Sequence, residues 1–534
     1  MISIPTPCHL EIQTHRKKPY GLLRTTYREN GKSLHKTIAR FTELTIDQLR
    51  SLQAALQNNV VPKTDFKVDS SREYGASFAC NALLKELGLH KAIYSRPAQE
   101  WVSAVCAMIV GRIVYAGSKL SLSNCGSFSA LWEICGIKKE VDVNVHCYDA
   151  MDKLLDRQES IQKNLAKKHL ENGTLVLYDI TSSYMEGEYT DSELVEFGYN
   201  RDKKRGHAQI VISLLCDKNG CPVAVDVFKG NTKDETTVLD KVDEIKDKYG
   251  LEKIVFVGDR GMVTQAKYDQ LNHETVKVIS ALTHGTIQSL CDKGIIQLSL
   301  FDEKNTVEVV DGNVRYCLCK NPAMAAKETK TREILLKKTT DELDKIVAST
   351  RKTKNSKGVR AGKIVNKYKM GKFIVFEGND EKLTYRLDKN KIAQEASLDG
   401  CYIVFTDVSK DDTTAVQAAK DYKSLIQVEQ AFRNLKTTTL EIRPVYHRTD
   451  DRIKSHVFLC MLAYYIMWHM QQRLSPLYEN DGIGRKRKFT FEHVIENLKS
   501  IRTETVTFLN ATTNIVTSPT AEQSKIIELL GVNL

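Results

Sequence analysis

Two short runs of β-forming residues in this chain each lead into an aspartate. The run at 175–178 meets Asp179, and the run at 254–257 meets Asp259 after one glycine. Continuous apolar runs of this length are typical of strands buried on both faces of a sheet. The sequence therefore predicts an α/β fold, with a mixed sheet flanked by helices and a carboxylate where each of these strands ends.

A third carboxylate, Glu429, lies in a long helical pattern. At about 100° per residue it falls about 40° from Leu425 and about 60° from Phe432, inside the apolar stripe of the helix. Burial of an uncompensated charge is costly, so a carboxylate in such a place pairs with a cation, caps a helix or binds a metal. We therefore expect Glu429 to have a partner.

Each acid alone has an ordinary explanation. An aspartate after a strand often caps a helix or lies in a loop, and Glu429 could form a salt bridge on its own helix. Three converging acids favour a metal site instead, because oxygen-only ligands suit Mg²⁺ or Mn²⁺. Two such ions about 3.5 to 4 Å apart support phosphoryl transfer. The joint pattern predicts a two-metal site in which Asp179, Asp259 and Glu429 are the catalytic and metal-binding residues.

The charge balance indicates a polyanionic partner. The chain has 78 Lys and Arg against 67 Asp and Glu, a net charge of +11. A basic surplus of this kind favours nucleic acid. Ten basic residues and no acid lie between 345 and 372, a run that is either a solvated face or a DNA contact. The candidate DNA-binding residues in this run are Lys352, Lys354, Arg360 and Lys367.

The cysteines and apolar segments bear on the compartment. The 13 cysteines are odd in number and scattered, which indicates reduced thiols. The longest apolar segment, 457–470, is shorter than the roughly 20 residues that a membrane-spanning helix needs. The N-terminus lacks the charged and apolar regions of a signal peptide. These features predict a cytoplasmic protein.

At 534 residues the chain is expected to hold three or four domains. Residues 1–70 are predicted to form a basic hairpin around Asn30 and Gly31, followed by a helix with a capping box of Thr45 and Gln48. Residues 71–170 are predicted to be helical, with DNA binding as a candidate role. A basic, mostly β insertion is predicted at 285–400, and a C-terminal appendage at 476–534.

The remaining segments, 171–284 and 401–475, are predicted to form the catalytic part. Its predicted strands are 174–180, 208–217, 221–229, 254–257 and 276–282, and its predicted helices are 234–249, 265–271, 413–437 and 453–471. The helix with Glu429 thus comes only after the insertion, which places a positively charged module beside the site.

The acid order, the insertion and the last catalytic helix resemble those of the DDE transposases of bacterial insertion sequences. The similar group has a Tyr-x2-Arg-x3-Glu-x6-Lys signature (insertion-sequence family four and its relatives), which here reads Tyr422, Leu425, Glu429 and Lys436. The segments YDIT at 178–181 and VGDRGM at 257–262 match as well. The seven-residue spacing keeps the tyrosine, glutamate and lysine near one helix face, with a drift of about 20° per step.

One position departs from the signature. Leu425 stands where the family has arginine, so either the phosphate contact implied at this position has moved elsewhere in this chain or the activity is reduced. Arg433, one turn beyond Glu429, and Lys423 are candidates to replace that contact.

The resemblance implies a ribonuclease-H-like, retroviral-integrase-like catalytic domain with the insertion before the last acid. It implies two Mg²⁺ or Mn²⁺ ions on the three acids, and terminal phosphates held by Tyr422 and Lys436. The implied activity is cleavage at the ends of the protein's own insertion sequence and joining of the 3′ hydroxyl ends to target DNA. A homodimer on double-stranded DNA in the bacterial cytosol, associated with the nucleoid, follows from the same resemblance. The alternatives are a transposon-derived DNA-binding protein without catalysis and a ribonuclease-H-like nuclease without strand transfer.

Overall fold

The structure is a computed structural model that describes residues 8–14, 19–29, 32–56, 66–97, 99–202, 204, 206–233, 236–260, 262–271, 274–301, 306–349, 354–377, 383–438, 440–443, 445–479, 489–508 and 511–534. The strands are β1 (Cys8–Gln13), β2 (Tyr20–Glu29), β3 (Lys32–Phe41), β4 (Phe66–Glu73), β5 (Thr174–Tyr184), β6 (Gln209–Asp217), β7 (Pro222–Lys229), β8 (Ile254–Gly258), β9 (Val276–Ala281), β10 (Val307–Asp311), β11 (Val314–Lys320), β12 (Ile374–Glu377), β13 (Thr384–Leu387), β14 (Cys401–Thr406), β15 (Arg502–Phe508) and β16 (Ala511–Val516). The helices are α1 (Ile46–Leu56), α2 (Gly75–Glu86), α3 (Leu89–Ile93), α4 (Glu100–Val114), α5 (Lys119–Ser123), α6 (Leu131–Ile134), α7 (Ala150–Leu155), α8 (Gln158–His169), α9 (Thr237–Tyr249), α10 (Gln265–Tyr268), α11 (His284–Asp292), α12 (Pro322–Val347), α13 (Lys354–Tyr368), α14 (Lys389–Ser397), α15 (Ala415–Lys423), α16 (Ile426–Arg433), α17 (Asp450–Arg473), α18 (Ser475–Glu479), α19 (Phe491–Lys499) and α20 (Ala521–Leu530).

The chain divides into two compact units. The first consists of Met1–Ala76, Gly126–Ala130 and Ile495–Lys525. The second consists of Ser77–Cys125, Leu131–Val494 and Ile526–Leu534. All three acids therefore belong to the second unit.

The first unit begins with an antiparallel sheet in the order β1-β2-β3. Helix α1 covers it, and Leu10, Leu23 and Leu49 form the buried core between them. The predicted turn residues Asn30 and Gly31 lie outside the described residues, but β2 and β3 on either side pair as a hairpin requires.

The start of α1 has the predicted capping box. The backbone N–H of Thr45 donates to Oε1 of Gln48 at 2.9 Å, and the backbone N–H of Gln48 donates to Oγ1 of Thr45 at 3.3 Å. Two of the N–H groups at the helix start thus gain side-chain acceptors.

The predicted C-terminal appendage is wrong as a separate element. Strand β15 pairs antiparallel with β4, Arg502 opposite Glu73, and β16 completes a three-stranded sheet. Residues from both ends of the chain therefore share one sheet in the first unit. Pairing across such a sequence distance leaves no local pattern in either segment.

The second unit contains an eight-stranded mixed sheet in the order β10-β11-β14-β9-β8-β5-β6-β7. Strands β5, β8 and β9 are parallel, and the other neighbouring pairs are antiparallel. Every residue of β6 is buried, as its continuous apolar sequence indicates. The five strands that the sequence predicts in the catalytic part are confirmed, with bounds that differ by up to four residues.

Helices cover this sheet. The apolar helix α17 packs on β7 and on helices α4 and α7, and α8 packs on β7 and α9. Within the described ranges, no single helix is long and apolar enough to cross a membrane. One bent pair, Glu100–Val114 with Lys119–Ser127, satisfies length and composition only when its two parts, at 108°, are taken together.

The expectation of a mostly β insertion is wrong. Strands β10 and β11 extend the main sheet, and the 26-residue helix α12 dominates the stretch that follows, together with α13. Only β12 and β13 form a hairpin of their own. Asn321 caps α12 by accepting the backbone N–H groups of Ala323 and Met324, and Pro322 occupies the first turn. This local signal, and the many Lys and Arg, which are good helix formers, favour helix.

Candidate active site

Asp179 and Asp259 lie on neighbouring parallel strands. In the register of β5 and β8, Tyr178 is opposite Gly258. Asp179 comes directly after Tyr178 and Asp259 directly after Gly258, so the two aspartates are neighbours. Asp259 follows directly after β8, as predicted. Asp179 does not lie at a strand end, because β5 continues to Tyr184 through its antiparallel pairing with β6.

Asp259 is an exposed carboxylate with two donors. The backbone N–H of Arg260 donates to its Oδ1 at 2.7 Å, and the hydroxyl of Tyr422 donates to the same atom at 3.0 Å. Burial, together with the adjacent charge of Asp259, raises the pKa of the Tyr422 hydroxyl to about 12. Tyr422 is therefore a neutral donor at physiological pH.

The helix with Glu429 is not continuous over 413–437. It consists of α15, a break at Ser424 and Leu425, α16, and a π-helical turn at Asn434–Thr438. Leu425 is buried while Glu429 is exposed, so the placement of Glu429 inside the apolar stripe is wrong. Helix α16 packs against β5 with its buried residues Val428, Ala431 and Phe432.

The three acids influence one another electrostatically. Burial raises the pKa of the Asp179 carboxyl to about 7. A backbone hydrogen bond from Ile180, 2.8 Å long, lowers that pKa, while the charges of Asp259 and Glu429 raise it. The fold thus brings together three carboxylates that are distant in sequence, and their repulsion favours either a proton or a cation.

Lys436 extends the site along β5. Its ammonium donates to Oγ1 of Thr181 at 2.5 Å and to Oδ1 of Asp202 at 3.0 Å. The guanidinium of Arg443 binds the same Oδ1 at 2.5 Å. Burial lowers the pKa of Lys436, and the charge of Asp202 only partly opposes this effect. Asp202 is thus a buried acid between two cations.

Sequence reasoning missed Asp202 and Arg443. Asp202 lies in an irregular polar segment, and Arg443 follows the π-helical turn, so neither has a periodic pattern. The sequence did point to Thr181, because it is the last residue of the YDIT segment. It lies two positions after Asp179 and therefore on the same face of β5.

The other predicted site residues are scattered. Arg433 is exposed at the end of α16, and Lys423 lies over the ring of Tyr402 at 5.5 Å. On α13, Arg360 is exposed, and Lys367 forms an ion pair of 3.0 Å with Glu342. Lys354 is the first residue of α13, and Lys352 lies outside the described residues.

A second cluster of possible metal ligands is composed of His169, Cys221 and His469. Their ligand atoms all lie within 4.8 Å of one another. Nε2 of His169 lies at hydrogen-bond distance, 3.0 Å, from the hydroxyl of Tyr465. Nε2 of His469 is buried and has no hydrogen-bond partner among the described residues. The sequence gave no sign of this cluster, because its members come from three distant elements.

The acids of the active site suit a hard divalent cation. All three offer only carboxylate oxygens, the ligands that Mg²⁺ and Mn²⁺ prefer. Asp179 is partly buried beside two like charges, so a cation would relieve a repulsion that is already built into the fold. The donor set therefore fits the metal that the sequence predicts.

Three comparisons with known proteins bear on the family of this chain. No curated protein sequence matches the chain. A cryo-EM structure of the piggyBac transposase synaptic complex with hairpin DNA is similar at a TM-score of 0.35 and 8% sequence identity, over 80% of this chain and 80% of that one. A sequence profile described as Transposase DDE domain matches residues 173–466, from the start of β5 into α17. Since this match covers more than half of the 534 residues, the chain belongs to the family of transposases with a DDE domain.

Proposed function

We propose that this transposase cuts DNA at the ends of its own insertion sequence and joins the resulting 3′ hydroxyl ends to target DNA. The observation that carries the proposal is the register of β5 and β8, which sets Asp179 beside Asp259. Helix α16 packs on the same strand β5 and supplies Glu429. Membership in the Tyr-Arg-Glu-Lys group is part of the proposal, supported by Tyr422, Glu429 and Lys436 at the signature spacing.

DDE transposase domains generally use divalent metal ions. In this chain Asp179, Asp259 and Glu429 would hold them, and we propose two Mg²⁺ or Mn²⁺ ions per site. When bound, such ions activate the attacking oxygen and neutralise the charge that develops on the phosphate and the leaving oxygen.

We propose that the remaining residues of the site orient the acids or bind the phosphates of the DNA. The hydroxyl of Tyr422 donates to Oδ1 of Asp259 and so fixes the orientation of this carboxylate. Lys436 ties Asp202 to Thr181 and so fixes the strand that bears Asp179. Arg433 is exposed and would bind a phosphate oxygen, and Lys436 would exchange one of its present acceptors for another. Arg360 and Lys367 on α13 would add sequence-independent backbone contacts.

Joining two transposon ends requires two active sites, so we propose a homodimer on paired end DNA. Mass measurement of the complex by light scattering tests this part separately. A one-to-one complex that still joins paired ends would contradict it.

The test of the function uses purified protein, Mg²⁺ and a plasmid that carries the gene with its native flanks. Glu429→Gln is expected to keep DNA binding and to abolish cleavage. The matched control is Glu333→Gln, an exposed acid on α12, which is expected to cut normally. Addition of EDTA should also stop cleavage by the unchanged protein.

Mapped products distinguish the alternatives. Cuts at paired inverted ends, followed by joining, support the transposition reaction. Binding without cuts favours a transposon-derived DNA-binding protein. Scattered cuts without joining favour a nuclease.

A further inference from the structure

A cavity of about 310 Å³ in the second unit is lined mainly by cationic and aromatic side chains. It is bounded by the end of α4, the start of α5, the segment 441–447 and the first half of α17. Since a water molecule occupies about 30 Å³ of liquid, the cavity has room for about ten waters. Tyr446 on its rim is 69% exposed, so the cavity reaches the surface.

Two buried cations face this cavity. Arg112 and Lys119 are only 7% and 5% exposed. Among the described residues, no carboxylate lies within ion-pair distance of either one. The acid on the cavity wall, Glu441, is exposed and lies in the left-handed backbone region at φ 40°. Burial of a charge without a counter-charge costs several kcal/mol by the order of magnitude known for proteins, so an unpaired pair of cations marks a binding site more than a structural core.

One histidine of the cavity, His456, is an acceptor for Lys119. Its Nζ lies 3.0 Å from Nδ1 of His456, and Nε2 of His456 lies 3.3 Å from the carbonyl oxygen of Ile442. The carbonyl can only accept, so Nε2 carries the ring proton and Nδ1 accepts from the lysine. Burial, together with the charge of Arg112, lowers the pKa of Lys119 to about 7. Burial likewise lowers the pKa of His447 to about 3.

The cavity is connected to the active site by side chains. Arg443 lines the cavity and binds Asp202, which binds Lys436, which in turn donates to Thr181 on the strand of Asp179. A ligand in the cavity would therefore contact a residue that is two ion pairs from the catalytic strand. Arginine and lysine together match the several acceptor oxygens of a phosphate group.

We propose that this cavity binds a phosphate group of the DNA backbone and fixes the DNA relative to the catalytic acids. The proposal rests on the proposed function, since it takes DNA as the substrate. Phosphate is a diffuse anion with oxygens on every side, which suits a pocket with donors from three elements. Free inorganic phosphate has the same chemistry and is the competing source.

The test measures binding of a short DNA duplex to the full-length protein by fluorescence anisotropy over a series of salt concentrations. Lys119→Met and Arg112→Met are each expected to weaken binding and to lower the slope of log K against log salt by up to about 0.9, the value for the one phosphate contact that they share. The matched control is Lys163→Met, an exposed lysine on α8, which should leave the slope unchanged.

A second variant changes an exposed residue in place of a buried one. Tyr446→Glu places a negative charge at the mouth of the cavity and should weaken binding more than Lys163→Glu, although the latter changes the net charge by more. Equal effects of the two would overturn the proposal. Thermal unfolding with added inorganic phosphate, at an ionic strength matched with chloride, separates the sources. Phosphate-specific stabilisation that Lys119→Met removes, without any change in DNA slope, would also overturn it.

The two proposals fail in different ways. If the unchanged protein binds no DNA, both are wrong. If it cuts and joins DNA while Lys119→Met and Arg112→Met keep the slope of the unchanged protein, only the phosphate pocket is wrong.

Discussion

The hydroxyl of Tyr422 donates a hydrogen bond of 3.0 Å to Oδ1 of Asp259, across a sequence separation of 163 residues. This bond joins the end of α15 to the end of β8. Since the backbone N–H of Arg260 donates to the same oxygen, the carboxylate is held from two sides and presents Oδ2 as its free ligand atom. The tyrosine of the signature therefore orients an acid in this chain.

Tyr422→Phe is expected to slow DNA cleavage by about 10- to 100-fold, because a hydrogen bond to a charged group contributes about 1.5–3 kcal/mol. The ring remains, so folding should be nearly unaffected. Single-turnover cleavage of end DNA measures the effect, with the exposed Tyr199→Phe as the control. An unchanged rate would show that the bond does not contribute to catalysis.

Leu425→Arg restores the signature but is expected to reduce stability and activity. Leu425 is 7% exposed, and burial of an unpaired charge costs about 3–5 kcal/mol. The neighbouring Ile426 is 57% exposed, so Ile426→Arg should change stability by no more than about 0.5 kcal/mol. Urea unfolding of both variants provides the comparison. A gain in end cleavage by Leu425→Arg would instead indicate a lost phosphate contact.

Asp202→Asn is expected to destabilise the protein by about 3–5 kcal/mol, because it leaves two cations without their counter-charge. Combining it with Lys436→Met should recover part of the loss, since one of those cations is then absent. The free energy of unfolding of the two single variants and the double variant gives the coupling. Asp411→Asn, at an exposed acid, is the control and should be neutral. Additive losses would argue against a shared network.

Lys119 should make stability depend on pH. Its pKa is about 7 in the folded protein and about 10.4 in an unfolded chain, so the unfolded state binds more protons between these values. Stability from this residue therefore rises with pH over that window, and its cost is fully present below about pH 7. Lys119→Met should raise the melting temperature at pH 6.5 and have a much smaller effect at pH 10. A constant difference between the two proteins would show that Lys119 is not the titrating group.

The sequence predicted the part of the fold that depends on local patterns. The strands that lead to Asp179 and Asp259 could be recognised because continuous β-forming runs are unusual outside buried strands. The capping box at Thr45 was equally local. The exposure of Glu429 was not, because tertiary packing buries Val428, Ala431 and Phe432 of α16 and leaves Glu429 outside that face.

The contacts around the acids could not be predicted from one sequence. Asp202 meets Lys436 and Arg443 only after β5, α16 and the following segment have packed together. Arg112 and Lys119 looked like ordinary residues of a helical region, and their burial depends on α17, more than 300 positions away. Such relationships are set by tertiary packing and leave no periodic signal.

The pairing of β4 with β15 determines when the three-stranded sheet of the first unit can form during synthesis. Glu73 and Arg502 face each other across 502 − 73 = 429 positions. At about 5–20 residues per second, a ribosome needs roughly 20 to 90 s to deliver the second strand after the first. Until then β4 lacks the neighbour that covers its backbone N–H and C=O groups. A copy whose translation stops before β15 therefore keeps β4 unpaired along this edge, and an unpaired edge of this kind favours aggregation.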